Sequence, residues 1–192
     1  MDATMGLMNH PGVSMILATG GSGMVKSAYS AGKPALGVGP GNVPCYIHKN
    51  VDVRRACTDL MISKTFDNGM ICASEQAVIV DQEIKDEFES FMKANNCYFL
   101  NPEEVEKVTK YVINLDKMAV NPAGVGQPAE KIAAAAGVQV PAKTKILLAP
   151  LPYPSREYPL SLEKLSPVLA YFVSENEEQG FAYAKKMLEL GG

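Results

Sequence analysis

Short apolar runs alternate with turns and stretches of helical period through almost the whole of this chain, and that alternation limits the folds open to it. Such a pattern predicts an α/β protein, with a mostly parallel sheet and helices on both faces. The apolar runs predict strands at Val13 to Ala18, Ala35 to Val38, Val43 to His48, Gln76 to Val80, Cys97 to Leu100, Lys145 to Ala149 and Val168 to Val173. Between them, Met24 to Ala31 reads as a short helix closed by Gly32. Val53, Ala56, Cys57, Leu60 and Met61 repeat at helical spacing behind Asn50 or Asp52 as a cap, and Asn68-Gly69 supplies the stop. A helix carrying Ile84, Phe88, Phe91 and Met92 is expected to be capped by Asp81, and Asn101-Pro102-Glu103-Glu104 opens one striped by Val105, Val108 and Val112. Pro128 to Gly137 forms another, and Ser174-Glu175-Asn176-Glu177 reads as a capping box for a helix carrying Phe181, Ala184 and Leu188. In sheets of this kind the chemistry usually sits at the carboxyl ends of the strands.

Composition matters for what it excludes. With 192 residues, 47% of them hydrophobic, the chain can build one soluble domain or two small ones. A formal charge of −3 without a basic cluster argues against nucleic acid or a membrane surface as partner. No apolar run approaches a membrane span, and Met1-Asp2-Ala3 leads into neither a cationic nor a hydrophobic segment, so the expected location is cytoplasmic. Cys45, Cys57, Cys72 and Cys97 lie 12, 15 and 25 residues apart, and the only histidines are His10 and His48. No metal site and no disulfide framework is expected from such spacing.

Three features remain as candidates for chemistry. Gly20-Gly21-Ser22-Gly23 follows a strand and opens a helix, where main-chain N–H groups can cradle an anion or where the chain simply turns tightly. Gly37-Val38-Gly39-Pro40-Gly41-Asn42 permits close approach of a ligand or of another backbone. Of the cysteines, Cys45, Cys57 and Cys97 fall on apolar faces, whereas Cys72 lies in a connection beside Ala73 and Ser74, which makes it the candidate nucleophile.

These pieces together resemble a known family, the aldehyde dehydrogenases. The resemblance rests on Leu17-Ala18-Thr19-Gly20-Gly21-Ser22-Gly23-Met24-Val25-Lys26, on the second glycine cluster, on Ser63-Lys64-Thr65-Phe66-Asp67-Asn68-Gly69-Met70-Ile71-Cys72-Ala73-Ser74-Glu75-Gln76 and on Glu163-Lys164-Leu165-Ser166-Pro167. It is strongest to the CoA-acylating branch found in bifunctional aldehyde-alcohol dehydrogenases. It implies Cys72 as the nucleophile, Gly20 and Gly21 as the turn that approaches the cofactor, Gly39 as the backbone beside the nicotinamide, and Glu163 as the carboxylate on the nicotinamide ribose. NAD is the implied cofactor and coenzyme A the co-substrate, with acetaldehyde and acetyl-CoA interconverted through a thioester. The implied domains are a remnant of the NAD-binding Rossmann domain at 1–38 and a catalytic thiol domain at 39–192, in a homo-oligomer, dimer or filament.

Two departures from the family pattern qualify this. The glutamate that activates water in hydrolytic members aligns with Gly37, so thiolysis by CoA is expected over hydrolysis, with CoA entering the vacated volume. The upstream nucleotide-binding region and a downstream Gly-x-His segment are not in this sequence, so the chain is expected to be a fragment with little activity alone. The alternatives are a related semialdehyde dehydrogenase, or an inactive fragment acting as a subunit-interaction module.

Overall fold

The computed structural model describes residues 2–191. The chain divides after Pro40 into two compact units. In the first, α1 (Asp2–Asn9), β1 (Ile16–Thr19), α2 (Ser22–Tyr29) and β2 (Ala35–Val38) follow one another, and β1 and β2 pair in parallel from Ile16 opposite Ala35 to Thr19 opposite Val38. Ile16 and Ala18 bury one face of this pair against Met8 and Ala28, while Leu17, Leu36 and Val38 stay exposed on the other. The first helix has no counterpart in the sequence reading.

The second unit is built on a five-stranded sheet of order β3-β4-β9-β8-β5, parallel throughout. Its strands are β3 (Pro44–Ile47), β4 (Ala77–Asp81), β5 (Cys97–Phe99), β8 (Ile146–Pro150) and β9 (Val168–Ser174). The helices are α3 (Val53–Thr65), α4 (Lys85–Ala94), α5 (Pro102–Val112), α6 (Ala129–Ala135) and α7 (Glu177–Gly191). Strand side chains alternate between two faces, and both are covered. Val78, Val80, Leu148 and Leu169 pack against Cys57, Leu60, Phe88 and Met92 of α3 and α4. On the other face Leu147 and Val168 meet Val108, Val112 and Ile132 of α5 and α6, while Ile79 and Phe172 meet Met187 of α7. Each such fully buried side chain contributes roughly 1.5–3 kcal/mol, so the sheet is apolar along nearly its whole length. A small antiparallel pair, β6 (Ile113–Asn114) with β7 (Ala119–Val120), was not expected, because strands of two residues carry no readable period.

The expected caps are met in part. Asp52 accepts from Arg55 N–H at 3.0 Å, and Asn101 and Glu104 form the reciprocal box at the head of α5. Asp81 instead turns away from the helix. Its carboxylate accepts from Tyr46 Oη at 2.7 Å, Lys49 N–H at 2.8 Å and Ser174 Oγ at 2.9 Å. The Ser174 side chain is turned to Asp81 and away from the helix, and α7 is capped two residues later by Asn176, which accepts from Gln179 N–H at 2.9 Å. The expected apolar stripe of α7 is met at Ala184, which packs against the sheet, and corrected at Phe181 and Leu188, which are 59% and 57% exposed. Gly180 and Met187 face the sheet in their place, and Gly180 sits so close that an added Cβ would lie 2.5 Å from the Tyr46 ring. Only a glycine permits that approach, and it sets the rotation of the helix.

Burial works to raise the pKa of Asp81, but the bonds from Tyr46, Lys49 and Ser174 outweigh it and hold the carboxyl below its ordinary range. A carboxyl depressed on folding contributes stability above its unfolded pKa, and that stability is lost as pH falls through the folded value. Asp81→Asn is therefore expected to destabilise the chain by about 1–3 kcal/mol at neutral pH. In denaturant titrations the gap between variant and parent should close as the pH is taken into the acid range.

Candidate active site

The loops entering β3, β4 and β9 meet at the amino edge of the five-stranded sheet, and Gln76 is the residue that joins them. Buried completely, it donates its main-chain N–H to Val43 O at 2.7 Å and accepts on its own carbonyl from Ala170 N–H at 3.1 Å. Its side chain donates to Ser74 O at 3.1 Å and accepts from Lys164 N–H at 2.9 Å. The segments containing Cys72 and Glu163 are thus fixed against one another by a single amide.

Cys72 occupies the exposed part of this edge. The chain leaves α3 through Asp67, Asn68 and Gly69, all in the left-handed region with φ of 49°, 50° and 67°. For the two non-glycine residues this costs roughly 1–2 kcal/mol each, so the surroundings must impose it. Asn68 Nδ2 donates to Gly126 O at 3.0 Å, and Gly126 N–H donates to Leu165 O at 2.9 Å. Leu165 is itself left-handed at φ 48°. Gly69 lies against the Ser166 carbonyl, where an added Cβ would stand at only 2.9 Å. Beyond this clamp Ser74 N–H bonds to Ile71 O at 2.9 Å, closing a turn with Cys72 and Ala73 at its centre.

Cys72 is exposed, whereas Cys57 and Cys97 are buried and Cys45 is half-buried. Burial pushes the Cys45 thiol up to about 11 and those of Cys57 and Cys97 up to about 12. Glu163 is half-buried, and burial raises its carboxyl above the usual range against the opposing pull of Lys164 and Lys64. The Lys64 amine, wholly enclosed, is pushed by burial down to about 7, with Glu75 and Glu163 acting the other way.

In the first unit Gly20 and Gly21 follow the carboxyl end of β1, and Gly39 follows that of β2, with Gly20 N–H bonded to Val38 O at 3.1 Å. An added Cβ at Gly21 or Gly39 would meet nothing within 4 Å, so the main chain there is open to close approach. These three glycines follow the rule for carboxyl ends of strands. Cys72 and Glu163 do not, since both precede their strands. Helix α3 returns the chain to the amino edge, so the segment carrying Cys72 is a helix-to-strand loop. At Gly37 the vacated volume expected from the missing glutamate is filled. An added Cβ would lie 2.5 Å from Val25 Cγ1 and 3.0 Å from the Tyr29 ring, and Gly37 N–H donates to Tyr29 Oη at 3.0 Å.

Compared with known proteins, residues 1–100 match the aldehyde dehydrogenase family, over half of this sequence of 192 residues and across the Cys72 loop. The chain belongs to that family. The aldehyde-alcohol dehydrogenase of Streptococcus pneumoniae is 49% identical over all of this chain and 22% of its own length. An acetylating aldehyde dehydrogenase of Geobacillus thermoglucosidasius superposes with a TM-score of 0.93 at 46% identity, covering all of this chain and 42% of that one. A propionaldehyde dehydrogenase of Rhodopseudomonas palustris, solved with CoA and an acylated cysteine, matches at a TM-score of 0.86 and 28% identity over 97% of this chain and 42% of that one. The chain therefore spans about a fifth of the curated relative's length.

Three residues of this aldehyde dehydrogenase edge were missed from sequence. Gln76 reads as an ordinary strand start and Asn68 as a helix stop. Lys64 did leave a signal, because it stands four residues after Leu60 and three after Met61, on the buried stripe of α3. At pH 8 thiols of pKa about 11–12 are ionised to roughly one part in a thousand or less. Iodoacetamide is therefore expected to modify Cys72 alone in the folded chain, with Cys45, Cys57 and Cys97 following only on unfolding, as peptide mapping would read. Gln76→Leu strands Lys164 N–H and Ser74 O without partners and should lower stability by about 2–4 kcal/mol, measured by urea titration.

Proposed function

We propose that this chain is the catalytic segment of a CoA-acylating, NAD-dependent aldehyde dehydrogenase that interconverts acetaldehyde, CoA and NAD with acetyl-CoA and NADH. The observation that carries this reading is the exposure of Cys72 at the centre of a turn clamped from two other loops. The acylated cysteine of the Rhodopseudomonas relative supports it. Residues 1–38 are read as part of the nucleotide-binding domain and 39–192 as the thiol domain.

The Cys72 thiolate attacks the aldehyde carbon and forms a C–S bond, giving a thiohemiacetal whose oxyanion is held by main-chain N–H groups of the turn. Loss of hydride from that carbon leaves an acyl thioester on Cys72. The CoA thiol then displaces Cys72, and the proton of that thiol is released to solvent. A thioester exchanged for a thioester is nearly balanced in energy, so the reaction runs in either direction. NAD, when bound, supplies the hydride acceptor. The turn at Gly20 and Gly21 with the positive end of α2 suits its diphosphate, the open backbone at Gly39 suits its nicotinamide, and the Glu163 carboxylate suits the nicotinamide ribose hydroxyls.

Gly37 offers no carboxylate to activate water, and this favours CoA over water as the acyl acceptor. It does so by the missing base alone, since Val25 and Tyr29 fill the space beside it. The same reading places the enzyme in the cytoplasm as a homo-oligomer, in keeping with four unpaired cysteines. No helix among the described residues is long and apolar enough to cross a membrane.

In the intact enzyme, Cys72→Ala should lower acetyl-CoA formation by more than about 10³-fold, as removal of a nucleophile does. The parent, assayed by NADH production, should release acetate without CoA at least about 10²-fold more slowly than it forms acetyl-CoA with it. Equal rates would overturn the reading.

A further inference from the structure

Lys64 is a lysine with nowhere to place a full charge. It lies in the last turn of α3 and is entirely buried, on the stripe that otherwise carries Val53, Cys57, Leu60 and Met61. Its Nζ crosses the base of the Cys72 loop, donating to Glu75 O at 2.5 Å and to Ser74 Oγ at 3.4 Å. It also stands against Gly69, where an added Cβ would be 3.2 Å away. The loop therefore leaves α3 at Thr65 and returns at Ser74 and Glu75 to the side chain it has just left, with Cys72 between. A second tie runs parallel, from Ser63 Oγ to Glu75 Oε2 at 2.8 Å.

We propose that Lys64 is a positioning residue for Cys72 and that closure of the loop 66–76 over its amine releases a proton. The proposal rests on Cys72 being the nucleophile. Its physical basis is the enclosure itself: an ammonium taken out of water with one carbonyl and one hydroxyl as partners is disfavoured relative to the neutral amine, which makes the same two bonds. Among the described residues no carboxylate lies within ion-pair distance of Nζ. The charged groups facing it are Glu75 from its own loop and Glu163 and Lys164 from the loop entering β9. The two glutamates favour the ammonium and burial outweighs them, leaving the amine at about 7, while Lys164 is itself held well below the ordinary lysine range by burial and by Lys64.

The sign follows from linkage. With the loop open, Lys64 is in water and titrates as an ordinary lysine near 10.4. With the loop closed it titrates near 7, so between these values the open form holds one more proton. Closure is then favoured as pH rises, by up to about tenfold per pH unit, and is independent of pH below the closed-state value.

Hydrogen exchange of the full chain tests this, read at residues 70–76 and corrected for the intrinsic pH dependence of exchange. Protection of that segment should rise several-fold per pH unit between about pH 7.5 and 9.5, while helix α4 shows no such slope. In Lys64→Met, which keeps the length and loses the amine, the slope should vanish. A flat profile in the parent overturns the proposal, and so does a slope that survives in Lys64→Met, which would assign it to Lys164. Should Lys64→Met not fold, the parent profile and Lys164→Met decide between the two lysines. Iodoacetamide labelling of the same parent samples separates the two readings: a Cys72 no more reactive than Cys57 removes the nucleophile while leaving the proton-linked loop in place.

Discussion

A single buried amide holds the amino edge of the second unit together. Gln76 has a main-chain N–H, a main-chain carbonyl, a side-chain amide NH2 and a side-chain amide oxygen, and each is bonded to a different residue: Val43, Ala170, Ser74 and Lys164. None of these groups is in water, so each unmade bond would carry the full cost of a stranded polar atom. The central pairing of β4 with β9, from Ala77 opposite Ala170 to Asp81 opposite Ser174, starts from this residue. The distance from the Cys72 turn to the Glu163 segment is thereby set by a sheet register, which cannot slip by one residue without turning its apolar side chains the wrong way.

On this base the loop carries strain that the rest of the fold pays for. Three consecutive left-handed residues before Cys72, a left-handed Leu165 and a left-handed Gly126 lock one another through Asn68 and the Leu165 carbonyl. In the closed loop the result is a thiol held out at the surface. The three other thiols, raised by burial, serve as packing, and the division of labour among the cysteines follows from exposure alone.

Much of this was legible in the chain. The apolar runs locate every long strand to within a few residues, because a parallel sheet covered on both faces demands continuous apolar segments. The capping box at Asn101 and the stop at Gly69 are written in residue types with few other uses. What was misread lies where tertiary contacts override local preference. Ser174 looks like a cap until Asp81 claims its hydroxyl, and Phe181 looks like core until Gly180 presses against Tyr46.

The sequence by itself determined the α/β class, the strand-turn-helix at Gly20 and Gly21, the separate standing of Cys72 among the cysteines, and a resemblance that the family match bears out. These follow from short-range patterns, in which period, turn residues and motif spacing are all local. Tertiary structure alone decided which edge of the sheet bears the thiol, what fills the space at Gly37, and that Gln76 and Lys64 bind that edge together. The reason is distance along the chain: a hydrogen bond from Gln76 to Lys164 joins residues 88 positions apart, and no local pattern encodes such a partner.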